Sequence, residues 1–186
     1  MARNTILRSM HDLGLAAWFG GSLMGAVGLN AAAGVVKDPR ERSKVANAGW
    51  DRWTPVNAAG IGAHIVGAAG LLAANRGRVA NQQGVGAMSL VKTGLTGTAM
   101  AVTALARVEG AKVSRNDGAP VAAGAEPLAS TPTEVAEAQQ RLRMLQWAVP
   151  ASTAALLVVS ALAGEQQRPS EVSRGLRGRL LERLPG

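Results

Sequence analysis

Four stretches of the chain are apolar, nearly free of charged residues and long enough to cross a lipid bilayer. They lie at about residues 10–36, 54–75, 84–106 and 144–164, and Arg, Lys, Asp or Glu residues flank each one. A membrane-spanning helix needs about 20 predominantly apolar residues. The pattern therefore predicts an all-α fold, an integral membrane four-helix bundle that occupies residues 1–168.

Sequence signals between these stretches predict where helices begin and end. Thr54-Pro55 is typical of an N-cap followed by proline in the first helical position. Thr131-Pro132-Thr133-Glu134 has the form of a capping box, which predicts a helix that begins well before the fourth span and is kinked at Pro150. Residues 110–131 are rich in Gly, Ala and Pro and are predicted to form a flexible loop.

A basic amphipathic helix is predicted for the C-terminal tail, residues 169–186. Val172, Leu176, Leu180 and Leu184 recur at intervals of four, with arginines around them. Such a helix is expected to lie on an anionic lipid leaflet. Because the Lys and Arg residues of the connecting segments do not decide the topology, the tail carries the prediction that both termini are cytoplasmic.

The composition supports a membrane protein and excludes several kinds of site. Only 3% of residues are aromatic, and Cys is absent, which excludes disulfides and thiolate metal sites. The net charge of +8 lies between and beyond the apolar stretches, so we expect lipid rather than nucleic acid as the partner. Arg outnumbers Lys, which is typical of high-GC bacteria, and the predicted location is a bacterial cytoplasmic membrane. The alternative is a soluble helical bundle, since the mean hydropathy is only +0.10.

Small residues recur with helical spacing in the first three spans. Two seams follow an alternating spacing of three and four residues: His11, Gly14, Trp18, Gly21, Gly25, Gly28, Ala32 and Val35; and Asn57, Gly60, His64, Gly67, Leu71 and Ala74. A third seam is a looser counterpart, with Gly86, Leu90, Gly94, Gly97, Ala101 and Ala104. Small residues allow helix backbones to approach closely in lipid. The seams are therefore predicted to be packing surfaces, with a narrow cavity or path as the alternative.

Both histidines of the chain fall on these seams. Ionisable groups inside a membrane are unfavourable and often functional, and imidazoles ligate haem iron and other metals. Residue counting places His11 and His64 roughly 10 to 20 Å apart in depth, which disfavours a haem held between both. The alternative is structural, with His64 hydrogen-bonded between helices and His11 at the membrane interface.

Two charged residues accompany the histidines. Lys92 lies about 12 Å inside the third span and on the opposite side of its helix from the glycine seam. Its ammonium is expected to extend to the nearer interface, where Asp12 or a lipid phosphate can pair with it. A proton or solute relay through Asp12, His11, His64 and Lys92 is an alternative. Asn30 and Asn57 are interpreted as packing residues.

The first helix resembles that of two bacterial membrane families. The residues are His11-Asp12-Leu13-Gly14-Leu15-Ala16-Ala17-Trp18-Phe19-Gly20-Gly21, with a Trp seven positions after the His and then Gly. The copper-resistance CopD-like proteins and the HemJ-type protoporphyrinogen oxidases share this order, and the likeness covers residues 10–29. The resemblance makes His11 the conspicuous polar residue of that helix. The whole chain resembles uncharacterised four-span membrane proteins of high-GC bacteria.

The sequence favours a membrane protein without enzymatic activity. It contains no P-loop, no His-Glu-x-x-His and no Gly-x-Ser-x-Gly motif. The predicted function is a structural or accessory component that packs with itself or with a larger membrane complex, with no cofactor. Two alternatives remain: a haem- or metal-binding protein that uses His11 or His64, and a transporter of a small solute, a proton or a metal ion.

Overall fold

The computed structural model describes residues 4–82 and 84–165. Helices dominate, so the prediction of a helical protein is confirmed. The predicted tail helix at 169–186 lies outside the described residues. The elements in chain order are α1 (Thr5–Met24), a π turn (Gly25–Leu29), α2 (Asn30–Ala32), a 3-10 turn (Ala33–Val35), α3 (Pro39–Ala74), α4 (Arg76–Asn81), α5 (Val85–Arg115), β1 (Val121–Ala123), β2 (Glu126–Pro127) and α6 (Thr133–Glu165).

Three helical segments are long and apolar enough to cross a membrane. They are Thr5–Val35, Pro39–Ala74 and Thr133–Glu165. Many large apolar side chains on their surfaces are exposed, as a lipid environment requires; Leu13 is 71% exposed and Val158 is 61% exposed. Helix α5, which contains the predicted third span, is not among the three, since Lys92 and several Ser and Thr residues lower its hydropathy. A fourth span therefore stays a prediction.

Helix α3 begins sixteen residues earlier than the Thr54-Pro55 signal predicts, at Pro39 rather than Pro55. Its N-cap is Asp38, whose side chain accepts a hydrogen bond from the Arg40 backbone N–H at 2.9 Å, and Pro39 takes the first helical position. Pro55 lies inside the helix, and the Thr54 hydroxyl donates to the Trp50 carbonyl at 2.8 Å. Pro55 has no N–H for the Asp51 carbonyl four residues earlier, so the helix continues through this position with one backbone hydrogen bond fewer. Of the two cap-proline signals in this region, Asp38-Pro39 begins the helix and Thr54-Pro55 does not.

The segment at 110–131 differs from the expected flexible loop. Helix α5 continues to Arg115, and β1 pairs with β2 in an antiparallel hairpin, which departs from a purely α-helical fold. Val121 of β1 is fully buried and packs with Val113 of α5 and Val135 of α6. The hairpin therefore has its own small core, which composition alone does not reveal.

Two side chains hold this hairpin against the helices. The Arg42 guanidinium donates to the backbone carbonyls of Val121 and Ala122 at 3.2 and 3.3 Å. The Gln139 amide donates to those of Ala123 and Gly124 at 3.0 and 3.3 Å. At the start of α6 the Thr131 hydroxyl donates to Pro120 and accepts from Leu128, so it fastens the hairpin rather than forming the predicted capping box.

Helices α1 and α3 pack antiparallel with almost no space between their backbones. A Cβ atom added at Gly14 would lie 2.3 Å from the Gly60 carbonyl oxygen, and one at Gly67 would lie 2.5 Å from the His11 nitrogen. Further along the same interface, α1 is in contact with indole rings of α3 rather than with its backbone. The Trp53 ring covers Gly21, and the Trp50 ring covers Gly25.

The π turn at Gly25–Leu29 interrupts the first seam. Its wider turn shifts the buried face by about one residue, so Asn30 and Ala33 are buried beyond it. Gly28 is half-buried against Met24 of its own helix, and Val35 is 83% exposed. The heptad spacing thus describes the helix interface only as far as Gly25.

Candidate functional site

His11 of α1 and His64 of α3 lie in direct contact inside the bundle, and we call them the histidine pair. Their ring centroids are 4.4 Å apart with an interplanar angle of 44°, and both residues are buried. The expected separation of 10 to 20 Å in depth is therefore wrong. Because α3 begins at Pro39, directly after a short turn, antiparallel packing brings His64 level with Gly14.

The hydrogen bonds of the pair determine the tautomer of each ring. His11 Nδ1 lies 2.7 Å from the Asp12 carboxylate, and His64 Nδ1 lies 3.1 Å from the His11 backbone carbonyl. An ionised carboxylate and a carbonyl only accept hydrogen bonds, so each Nδ1 carries the hydrogen. The Nε2 atom of each neutral ring then presents a lone pair.

Neither Nε2 lone pair has a strong donor. His11 Nε2 is buried and has no hydrogen-bond partner in the described part of the chain. His64 Nε2 lies 3.5 Å from the Thr96 hydroxyl, which already donates to the Lys92 backbone carbonyl at 2.9 Å. The pair therefore offers two nitrogen atoms that can accept a proton or bind a cation.

A cavity of about 510 Å³ lies beside the histidine pair, and we call it the basic cavity. Helices α3, α4 and α5 and His11 of α1 form its walls. Besides the two histidines, its ionisable residues are Arg78 and Lys92, and no carboxylate lines it in the region that the structure describes. Its other walls are largely aliphatic side chains and methionines. The cavity is therefore apolar over most of its surface and positively charged at one side.

Lys92 is half-buried in the wall of this cavity. Its ammonium makes no ion pair or hydrogen bond to any described residue, including the predicted partner Asp12, whose carboxylate binds His11. Arg78 differs, because it donates to Gln82 at 3.0 Å and to Asn75 at 3.4 Å. Lys92 is thus the positive charge of the cavity that is available to a ligand.

The third seam does not pack as the first two do. Cβ atoms added at Gly94 and Gly97 of α5 would meet nothing within 4 Å. Both glycines are exposed, and Gly97 lines the basic cavity together with Lys92 and Thr96 of the same helix. The structure therefore brings Asp12, His11, His64 and Lys92 to one region of the bundle.

A layer of large side chains packs beside the histidine pair. Trp18 is fully buried, approaches the His64 ring edge-on at 6.3 Å between centroids, and donates from Nε1 to the Thr103 hydroxyl at 3.0 Å. Leu15 and Leu156 pack in the same cluster. Trp18 therefore fixes the orientation of the pair from the side of the bundle centre.

Sequence reasoning missed a second polar cluster, which is centred on Asn30 of α2, beyond the π turn that follows α1. The Asn30 side chain accepts from Trp50 Nε1 at 2.9 Å and donates to Gln146 at 2.9 Å, and its backbone carbonyl accepts from Gly124 at 2.9 Å. Asn30 thus joins α3, α6 and the hairpin. The sequence marked Asn30 only as a packing residue, because two of its partners lie more than 90 residues away in the chain.

A haem held between both histidines does not fit this arrangement. Two imidazoles bound on opposite sides of one iron, at about 2 Å each, would hold their ring centroids about 6 Å apart. The observed 4.4 Å is too short. Within residues 4–82 and 84–165, no group of three or more His, Cys, Asp or Glu side chains is placed to hold a metal ion.

Comparison with protein-family models, with curated proteins and with solved structures finds no match to this chain. The resemblance of its first helix to the CopD-like and HemJ-type families therefore stays a prediction.

Proposed function

We propose that this chain is a four-span protein of a bacterial cytoplasmic membrane, with both termini cytoplasmic, that binds a small organic anion in the basic cavity and carries it across the bilayer together with a proton. The observation that carries the proposal is the ammonium of Lys92, which is unpaired among the described residues and half-buried in a largely apolar cavity beside two imidazoles.

Electrostatics favour an anion as the ligand. A cation inside a membrane protein is unfavourable unless a counter-charge compensates it. No carboxylate of the described residues lines the cavity, so a carboxylate of the solute is the natural partner for Lys92. The aliphatic walls then accommodate the uncharged part of the solute.

The histidine pair supplies the proton site. When an acid enters the cavity and its carboxylate binds Lys92, an Nε2 lone pair of the pair can accept the acid's proton. Returning that proton to the carboxylate would restore the neutral acid before release. The Asp12 carboxylate, bonded to His11 Nδ1 and 60% exposed, holds the His11 ring in the required tautomer and stabilises its protonated form.

The test is uptake of radiolabelled pyruvate and succinate into liposomes that contain the purified protein. We expect saturable uptake of at least one solute, with acidification of a pH-sensitive dye inside the vesicles. Lys92→Gln should lower uptake at least tenfold. Lys112→Gln is the matched control, because Lys112 lies on the same helix but pairs with Glu109, away from the cavity. Uptake no greater than in protein-free liposomes, or equal in Lys92→Gln, would refute the proposal.

A transition-metal centre at the histidine pair is the second candidate function. Metal-binding histidines usually donate their other ring N–H to a carboxylate or a backbone carbonyl, as His11 and His64 do here. The close ring contact fits two neighbouring ligand positions on one ion, with other ligands from outside the chain. Metal analysis and an absorption spectrum of the purified protein test this candidate. Stoichiometric metal that is lost in His11→Ala and His64→Ala would support it.

The expectation of a structural or accessory component, which packs with itself or with a larger complex, stays a prediction. It becomes the favoured function if the protein shows neither uptake nor metal. Membrane partners that co-purify in mild detergent would then identify the complex. The predicted binding of anionic lipid by the tail is a separate prediction, tested by vesicle flotation with and without residues 169–186.

A further inference from the structure

A second cavity lies at the hairpin end of the bundle, and we call it the tryptophan cavity. Its volume is about 240 Å³, and it shares no lining residue with the basic cavity. Trp50 and Trp53 of α3 form part of its wall, together with the carboxamide side chains of Asn47 and Asn57 from the same helix.

The first seam explains how the indoles are held. Trp53 lies over Gly21 and Trp50 lies over Gly25, where any larger side chain would collide with the rings. The two glycines let each indole rest on the α1 backbone. Part of the seam thus shapes a cavity as well as packing two helices.

The polar atoms around this cavity fall into two groups. Trp50 Nε1 and the Asn30 and Gln146 side chains bond one another. In contrast, Trp53 Nε1, Asn47 Nδ2 and Asn57 Oδ1 are buried without any hydrogen-bond partner among residues 4–82 and 84–165. Buried polar groups are nearly always paired, so three unpaired ones in neighbouring turns of α3 indicate an absent partner.

The charge and size of the cavity restrict what that partner can be. Its charged lining residues, Asp51 and Arg107, have opposite signs and are both exposed, so they form the rim and leave the interior neutral. Pockets for drug-sized ligands usually measure about 300–1,000 Å³. A cavity of about 240 Å³ accommodates one or two fused rings rather than a long chain.

We propose that the tryptophan cavity binds an uncharged, planar carbonyl compound of the size of a one- or two-ring quinone. Its carbonyl oxygen accepts hydrogen bonds from the free donors, Trp53 Nε1–H and the Asn47 amide. The indoles provide flat apolar contact for the ring. Asn57 Oδ1 accepts from a hydroxyl or N–H group where the compound carries one.

Tryptophan fluorescence provides the test, with 2-methyl-1,4-naphthoquinone as the probe and the full-length protein in detergent. Ring compounds of this kind quench a nearby indole. We expect saturable quenching in the native protein and an apparent Kd at least tenfold weaker in Asn47→Leu and in Trp53→Phe. Trp147→Phe is the matched control, since Trp147 is 51% exposed on α6 and does not line the cavity, and its Kd should stay unchanged.

Two results would overturn the proposal. Quenching that rises linearly with the probe without saturating would mean collision or partition into detergent rather than a site. Equal Kd values in the native protein and in Trp53→Phe, which conserves the aromatic ring, would place the probe elsewhere. Lys92→Gln should bind the probe normally, so the outcome is separate from that of the carrier proposal.

Discussion

Glycines on α1 and glycines on α5 follow the same spacing in the sequence but have opposite surroundings in the fold. At Gly14 an added Cβ atom would lie 2.3 Å from the backbone of α3, whereas at Gly94 and Gly97 it would meet nothing within 4 Å. The α1 row is an interface with another helix. The α5 glycines lie beside open space, Gly97 at the basic cavity, and α5 packs mainly on α6.

The contrast shows what a row of small residues specifies. It permits another helix to pack closely, but it does not determine which helix packs there or whether any helix does. On α1 the short turn before Pro39 brings α3 directly alongside. On α5 no short turn brings a helix alongside the glycines. Helix α5 packs on α6 instead, and its Lys92 and Thr96 line the basic cavity. Position in the bundle decides the role of the row.

Substituting glycine by valine in the two rows should give the largest difference. Gly14→Val forces a branched side chain into the α3 backbone and should destabilise the protein by ~3 kcal/mol or more, or prevent folding. Gly94→Val should change stability by less than about 1 kcal/mol, since its side chain points to open space. Thermal unfolding in detergent, followed by circular dichroism, measures both. Equal stability of the two variants would mean that the α1–α3 interface is looser than described.

A second difference separates buried from exposed tryptophan. Trp18→Ala removes the side chain that supports the histidine pair and should destabilise the protein by about 3–5 kcal/mol. Trp147→Ala, at a position that is 51% exposed, should stay within about 0.5 kcal/mol in detergent. The same unfolding measurement compares them. A small effect of Trp18→Ala would show that the cluster of Trp18, Leu15 and Leu156 beside the histidine pair is not tightly packed.

Much of the helical content could be predicted from the sequence, because apolar runs and the capping signal before Thr133 are local features. The register between helices could not be predicted as easily. It depended on whether α3 begins at Pro39 or at Thr54. The two starting points place His64 at depths that differ by several helical turns. Asp38-Pro39 carried the correct signal, but the charged residues after it hid the helix from a search for apolar spans.

The remaining errors have a common physical cause, which is contact between residues distant in sequence. The β1–β2 hairpin has strands too short to show an alternating pattern, and it is held by Arg42 and Gln139 from two helices. The π turn moves Asn30 into the interior without any sequence motif. Unpaired Trp53 and Asn57 near the tryptophan cavity are likewise visible only after the helices are packed.

Asn30 provides a third test, at the polar end of α1. Asn30→Ala removes the acceptor of Trp50 and the donor to Gln146, both at 2.9 Å. We expect a loss of about 1–3 kcal/mol, because two half-buried polar groups lose their partner. Asn81→Ala is the control, since Asn81 is exposed and bonds only within α4, to Gly77. A loss no larger than that of the control would mean that water replaces the Asn30 contacts.

The smallest expected effect concerns Glu109, at the α5 end beyond the predicted span. It accepts hydrogen bonds from Lys112 at 2.9 Å and from Arg141 of α6 at 3.3 Å. The Lys112 bond is the main reason that the pKa of Glu109 is lowered, and the Arg141 bond adds to it. A carboxyl with a lowered pKa stabilises the fold above its unfolded pKa of about 4.3, and this contribution disappears as the pH falls through the folded value.

The melting temperature of the native protein should therefore fall between about pH 5 and pH 3 by more than that of Glu109→Gln. At neutral pH the two should differ by less than about 1 kcal/mol, because the pairs are partly screened by solvent. Arg141→Gln should show an intermediate pH dependence, because the stronger Lys112 bond remains. If Arg141→Gln removed the whole pH dependence, the contact between α5 and α6, rather than the bond within α5, would control the charge of Glu109.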